Sequence, residues 1–149
     1  MPVYTDCPHN GTICIATSHG VKVETKAACV ELECFSSSII RVKKYPLGQA
    51  PEKQSLSVTM QPKKVKYKIQ EANNQVILTT SELTVLLDII QNQVRFATKD
   101  GKELLAEKPS STGFTSFNDA GNSTYRIRQT FLLDSERLFM VWDSTSRER

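Results

Sequence analysis

The 149-residue chain is 39% hydrophobic and 23% charged with a net charge of +3, the profile of one globular domain able to bury its own core. A charge so small and dispersed argues against a nucleic-acid partner, and no apolar run is long enough for a bilayer-spanning helix. The opening "MPVYTDCPHNG" lacks the basic and apolar stretches of a secretory leader, which leaves periplasmic and cytoplasmic locations both open.

Strand signals dominate from the start. "GTICIATSHGVKVETK" holds two short alternating runs that break at His19-Gly20, a hairpin turn. In "CVELECF", Val30, Leu32 and Cys34 share one face, with Glu31 and Glu33 on the other. "IIRVKKY" follows and ends at the Pro/Gly loop "PLGQAPEKQ". "SLSVTMQ" reads as a further strand with Leu56, Val58 and Met60 inward. "KYKIQEANNQVILTT" reads as a hairpin about Asn73-Asn74, residues that accept positive φ at low cost. Leu83, Val85, Leu87 and Ile89 line one face of the next strand. "QVRFATKDGKELLAE" then places two strands around Asp100-Gly101, a strong hairpin pair.

"KPSSTGFTSFNDAGNSTY" reads instead as a long polar loop. After it, "YRIRQTFLL" alternates Tyr125, Ile127, Gln129 and Phe131 against Arg126, Arg128, Thr130 and Leu132. No segment of helical length keeps a stripe at i, i+3, i+4 and i+7. About ten short strands joined mostly by tight turns define an all-β protein, an antiparallel β-sandwich.

The four cysteines, Cys7, Cys14, Cys29 and Cys34, form no CxxC pair, and His9 and His19 lack zinc-ligand spacing. No metal site or cofactor is expected. Cys29 and Cys34 sit about 16 Å apart on an extended strand, too far to bridge. Cys7 and Cys14 could close a short loop, but free buried thiols are the favoured reading.

Few residues suggest chemistry. Lys63, Lys64, Lys66 and Lys68 surround Tyr67; their ordinary role is to protect an edge strand from aggregation, in preference to gripping phosphates. Phe114, Phe117, Asp119 and Asn122 in the polar loop are the candidate carbohydrate contacts, because a flat ring rimmed by polar groups can stack on a sugar. The competing and favoured role for the two rings is to plug the end of the sandwich, and Asx side chains in loops commonly bond their own backbone. Glu31 with Glu33, or Asp134 with Glu136, are neighbouring acids of one strand, not a pair held across a cleft. No GxSxG, phosphate loop or HExxH occurs, so no catalytic constellation is present.

From about Val21 to Asp134 the chain resembles the N-terminal β-domain of glycoside hydrolase family 31, the α-glucosidase and α-xylosidase family. The resemblance rests on the order of "SSSIIRVKKYP", "ELTVLLD", "VRFATKDGKELLAEK" and "YRIRQTFLLDSE". It implies a partial sandwich of the galactose-mutarotase type whose partner is a catalytic (β/α)8 barrel. That barrel carries the family's two aspartates, so no catalytic residue is expected in this chain. In the family such an R-Q-x-F strand runs into a "YGLG"-type motif, which is missing here.

The tail "SERLFMVWDSTSRER" accounts for the gap if the reading frame slips by one nucleotide near Ser135. Read across codon boundaries, Phe139-Met140 yields Tyr or His, while Met140-Val141 and Trp142-Asp143 each yield Gly. Compatible codons extend this to "ALIYGLGQHQQGK", the family's continuation in style. Residues 1–134 are thus read as the β-sandwich domain and 135–149 as an out-of-frame tail. Trp142-Asp143 faintly imitates the family's nucleophile segment, and Asp143 is assigned no role.

The expected function is that of a non-catalytic N-terminal domain of a retaining α-glycosidase, inactive alone, that packs on the barrel and helps shape carbohydrate binding. The alternative is a self-contained carbohydrate-binding sandwich. Missing strands would leave open edges, and with them a homo-oligomer formed by strand pairing. The frame reading makes a direct prediction. Sequencing the gene through codon 135 and reading every frame should yield the "YGLG" motif and barrel-coding sequence in one of them; DNA encoding neither in any register would overturn it.

Overall fold

The structure, a computed structural model, describes residues 4–5, 12–49 and 57–132. It contains two antiparallel sheets packed face to face and a separate two-stranded ribbon. The first sheet runs in chain order through β1 (Tyr4–Thr5), β2 (Ile13–Ala16), β3 (Gly20–Glu24), β4 (Cys29–Cys34) and β5 (Ile40–Tyr45). The second is built from β6 (Lys68–Ala72), β7 (Gln75–Thr79), β8 (Leu83–Asp88), β9 (Gln93–Thr98), β10 (Glu103–Glu107) and β13 (Phe131–Leu132). Between β10 and β13 the chain makes an excursion, the hairpin of β11 (Gly113–Asp119) and β12 (Asn122–Arg128).

Period-two alternation builds the core. Val21 and Val23 of β3, Val30, Leu32 and Cys34 of β4, and Ile40 of β5 face Val76 and Leu78 of β7, Val85 and Leu87 of β8, and Val94 of β9 in one buried cluster. The opposite face of the first sheet carries charges in register. Lys22, Glu31 and Lys43 pair across β3, β4 and β5, and Lys43 Nζ lies 2.5 Å from Glu31 Oε2. Such cross-strand pairs favour one register over a slip that would turn these charges into the core.

Turn chemistry matches the sequence at three places. Thr17 N–H donates to Gly20 O (2.9 Å) across the His19-Gly20 turn. Asn73 and Asn74 adopt φ of 52° and 62° between β6 and β7, and Gly101 takes φ 86° between β9 and β10. A bulge between Glu103 and Leu105 then shifts the β9–β10 register.

Four expectations need correction. Residues 57–67 form no strand: Pro62 has no amide to donate and lysines follow it, so Val58 and Met60 are only half-buried, while Leu56 lies outside the described residues. The polar stretch 108–125 is no loop, because most of it belongs to the β11–β12 hairpin. The "YRIRQTFLL" run is not one strand but two, broken at Gln129-Thr130. Cys14 is disulfide-bonded and not a free thiol, whereas Cys29 and Cys34 are free and buried. Cys7 and the tail 135–149 lie outside the described residues.

Gly20 of β3 packs tightly against β4: a Cβ there would sit 1.9 Å from Leu32 O. Gly20→Ala should therefore push β3 from β4 and lower stability by about 1–3 kcal/mol in urea titrations, as overpacking does. Gly113→Ala is the control, since its Cβ would meet only the Arg128 side chain at 4.0 Å. Equal effects of the two substitutions would refute the steric account.

Candidate functional site

The β11–β12 hairpin carries all four residues singled out from the sequence. Its turn is tight: Ala120 and Gly121 take φ of 46° and 92°, both left-handed, the backbone that suits the twist of a two-residue hairpin. Asn118 Oδ1 accepts from Gly121 N–H at 2.8 Å, so the Asx side chain that bonds its own backbone here is Asn118.

The register divides the four residues. Phe114 pairs with Ile127 and Ser116 with Tyr125 on one face. Phe117 pairs with Thr124, Thr115 with Arg126 and Asp119 with Asn122 on the other. Phe117, Asp119 and Asn122 are therefore brought together, and Phe114 is not. Phe117 is 46% exposed, which rules out for it the role of plugging the sandwich. The Arg126 guanidinium carbon lies 5.4 Å from its ring centroid, a cation–π contact that fixes one flank of the ring. The resulting surface is flat and aromatic, with a cation on one side and an amide and a carboxylate at the tip. Arg126 escaped notice in the sequence because only the strand register sets it beside Phe117.

The face with Phe114 turns partly inward. Phe114 and Tyr125 are half-buried, and Gln49 Nε2 donates to Tyr125 Oη at 2.7 Å. Ile127 on the same face remains 59% exposed.

Beneath the hairpin lies a buried ionic cluster that nothing in the sequence analysis anticipated. Lys44 projects from the inward face of β5, in step with Ile40 and Val42. Its Nζ donates to Glu107 Oε2 (2.5 Å), to Asn92 O (2.8 Å) and to Thr112 Oγ1 (3.1 Å). Glu107 Oε2 also accepts from Val94 N–H at 2.7 Å, and its Oε1 accepts from Gln129 Nε2. Gln93 Nε2 donates to Glu107 O at 2.5 Å. The two charged side chains are 5% and 3% exposed. All three ammonium protons and both carboxylate oxygens are thus occupied, the condition under which a buried pair can persist. The legible signal was parity, since a lysine occupied a core position of a strand.

A second polar cluster covers the outer face of the first sheet. Tyr45 Oη donates to Glu31 Oε1 at 2.5 Å beside the buried Cys29. Burial, reinforced by the bonds to Cys29 and Glu31, pushes the Tyr45 phenol far above its usual range. Burial also pushes the Cys29 thiol up, against a weaker opposing bond from Tyr45. For Glu31, burial opposes ionisation, but Lys43 and Tyr45 together outweigh it and hold the carboxyl below its ordinary value. These acids are consumed in structural pairing. Among the described residues, no three His, Cys, Asp or Glu side chains group as a metal site.

The lysines around Tyr67 divide as well. Lys68 begins β6, the edge strand of the second sheet, while Lys63, Lys64 and Lys66 lie in the approach to it. Tyr67 Oη donates to Thr17 O at 3.0 Å, so its hydroxyl bonds the first sheet's β2–β3 turn.

This fold defines a class, the all-β antiparallel sandwich. No protein-family model matches the chain. It is 27% identical over 99 residues to an alpha-glucosidase 2 of Bacillus thermoamyloliquefaciens, covering 66% of this chain and 13% of that protein. It also superposes on the crystal structure of a glycoside hydrolase family 31 alpha-xylosidase from Xanthomonas citri with a TM-score of 0.73 and 28% identity, over 80% of this chain and 13% of that one. The resemblance to the β-domain of glycoside hydrolase family 31 thus rests on both sequence and fold, and the chain spans 13% of the length of each relative.

Proposed function

We propose that this chain serves as the non-catalytic β-domain of a retaining α-glycosidase of the α-glucosidase or α-xylosidase kind. In this role it packs on the catalytic barrel and helps to shape the carbohydrate cleft, and alone it hydrolyses nothing. The observation that carries the reading is the pairing of a TM-score of 0.73 with coverage of only 13% of the relative's chain. The chemistry of the described acids agrees. Glu31, Glu33, Glu103 and Glu107 are drawn into ion pairs, whereas glycoside hydrolysis needs two carboxyl groups facing each other across a bound sugar.

A second reading, a self-contained carbohydrate-binding module, is favoured by one observation. Phe117, Asp119 and Asn122 share an exposed face beside Arg126. The two readings separate in solution. Purified chain should leave p-nitrophenyl α-glucoside and α-xyloside unhydrolysed, and calorimetric titration with malto-oligosaccharides should show little heat. Hydrolysis above the buffer rate would defeat the first reading. Saturable binding abolished by Phe117→Ala would install the second.

The first reading also implies association of the chain with itself. Among the described residues, the second sheet ends on β13 and β6, and the β11–β12 ribbon pairs with no other strand. Phe131 and Leu132 are exposed on that edge. Open edges flanked by apolar side chains pair readily. Sedimentation at rising concentration should show a dimer or larger species, and a monomer throughout would contradict this.

A further inference from the structure

We infer that the Lys44–Glu107 pair is a positioning device for the β11–β12 hairpin, holding it out from the sandwich as a preformed arm. The inference is independent of which molecule the hairpin meets.

The bonds of the pair fall on both roots of the hairpin. Thr112, which accepts from Lys44, immediately precedes β11, and Gln129, which donates to Glu107, immediately follows β12. Thr130 O closes the base by accepting from Lys108 N–H (2.8 Å) and Ser111 Oγ (3.2 Å). Entry and exit are therefore tied to one buried cation and its counter-ion. Away from the base, side-chain anchorage among the described residues comes from half-buried Phe114 and Tyr125, with the latter's bond to Gln49. An isolated two-stranded ribbon is marginal in water, so its direction depends on where its ends are held.

An ion pair suits this task better than it suits stabilisation. Taking both charges out of water is costly, and apolar side chains of similar volume often serve stability equally well. What apolar groups lack is direction. Here the ammonium fixes Asn92 O and Thr112 Oγ1, and the carboxylate fixes Val94 N–H and Gln129 Nε2. Two of these four partners belong to the second sheet's β9 region, and the other two to the hairpin's roots. The pair thus transfers the rigidity of the sandwich to the ribbon. A ribbon ordered in advance loses less entropy when a partner lands on it.

Backbone 15N relaxation on the whole chain tests this. In the unaltered protein the β11–β12 amides should show order parameters near those of the sandwich, about 0.85. Thr112→Val combined with Gln129→Leu removes the hairpin-side bonds while leaving Lys44 and Glu107 paired. Hairpin order parameters should then fall below about 0.6, with those of β7 and β8 unmoved. Lys44→Met combined with Glu107→Leu removes both charges together and should produce the same selective loosening. The inference is overturned by a hairpin already mobile in the unaltered chain, or by either variant leaving it ordered. It is equally overturned if the sandwich loses order in step with the hairpin, outright unfolding included.

Discussion

A single lysine on the wrong side of a strand organises much of this molecule. β5 alternates Ile40, Val42 and Lys44 toward the core, so the third core position holds a charge where an apolar side chain would ordinarily sit. Burying an ammonium is tolerable only with a counter-ion and full hydrogen bonding, and Glu107 at the end of β10 supplies the first condition. The second is met by groups drawn from several places: Asn92 O in the turn before β9, the Val94 amide of β9, and the residues that flank the hairpin. The need to satisfy one buried cation thus joins the first sheet to the second. It also marks where apolar packing stops and where the polar excursion between β10 and β13 begins.

The other end of β5 solves the same joining problem without a buried ion pair. Thr80 Oγ1 donates to Ser37 O at 2.6 Å, and Ser37 Oγ donates to Glu82 Oε1. Both turns lie near the surface, where water shares the work and no charge must be neutralised in the interior. The contrast explains why one junction is an ordinary turn contact and the other a clustered network.

The legible parts of the fold were those in which local chemistry and burial agree. Asn73-Asn74 and Gly101 announced their turns because left-handed backbone favours those residues, and Leu83, Val85 and Leu87 announced a face because it is buried. The β11–β12 hairpin was hidden for the opposite reason. Both of its faces mix polar and aromatic residues, so no apolar period emerges, and the positive φ at its first turn position falls on Ala120, which carries no turn signature. Residues 57–67 misled in the other direction: Val58 and Met60 alternate correctly, but alternation makes a strand only where a neighbour takes up the backbone. Cys14 could not be settled by spacing, because a disulfide depends on Cβ geometry that spacing does not determine. Within the candidate site, composition found Phe117, Asp119 and Asn122 but could not separate them from Phe114, since the separation is a matter of register.

The two flanks of the sandwich differ in how completely their surfaces are finished. On the outer face of the first sheet, charges are matched, with Lys22 against Glu24 along β3 at 2.9 Å and Lys43 against Glu31 across strands at 2.5 Å; on the second sheet Arg95 of β9 pairs with Glu103 of β10 at 2.6 Å. A face so arranged is content in water. Around β10, β12 and β13 the opposite holds, because Leu104, Leu105, Ile127, Phe131 and Leu132 are all exposed there, and among the described residues β12 and β13 each pair with a strand on one side alone. Scattered apolar side chains on a surface carry no message, but their concentration on one flank does. Leu105 and Phe131 point to the side of the second sheet that elsewhere forms the core, as their pairing with Phe96 and Glu107 requires. Among the described residues, an inward-facing residue that remains exposed marks a layer with little above it. The proposed role as one domain of a longer enzyme supplies what that layer calls for, further chain packed over this flank.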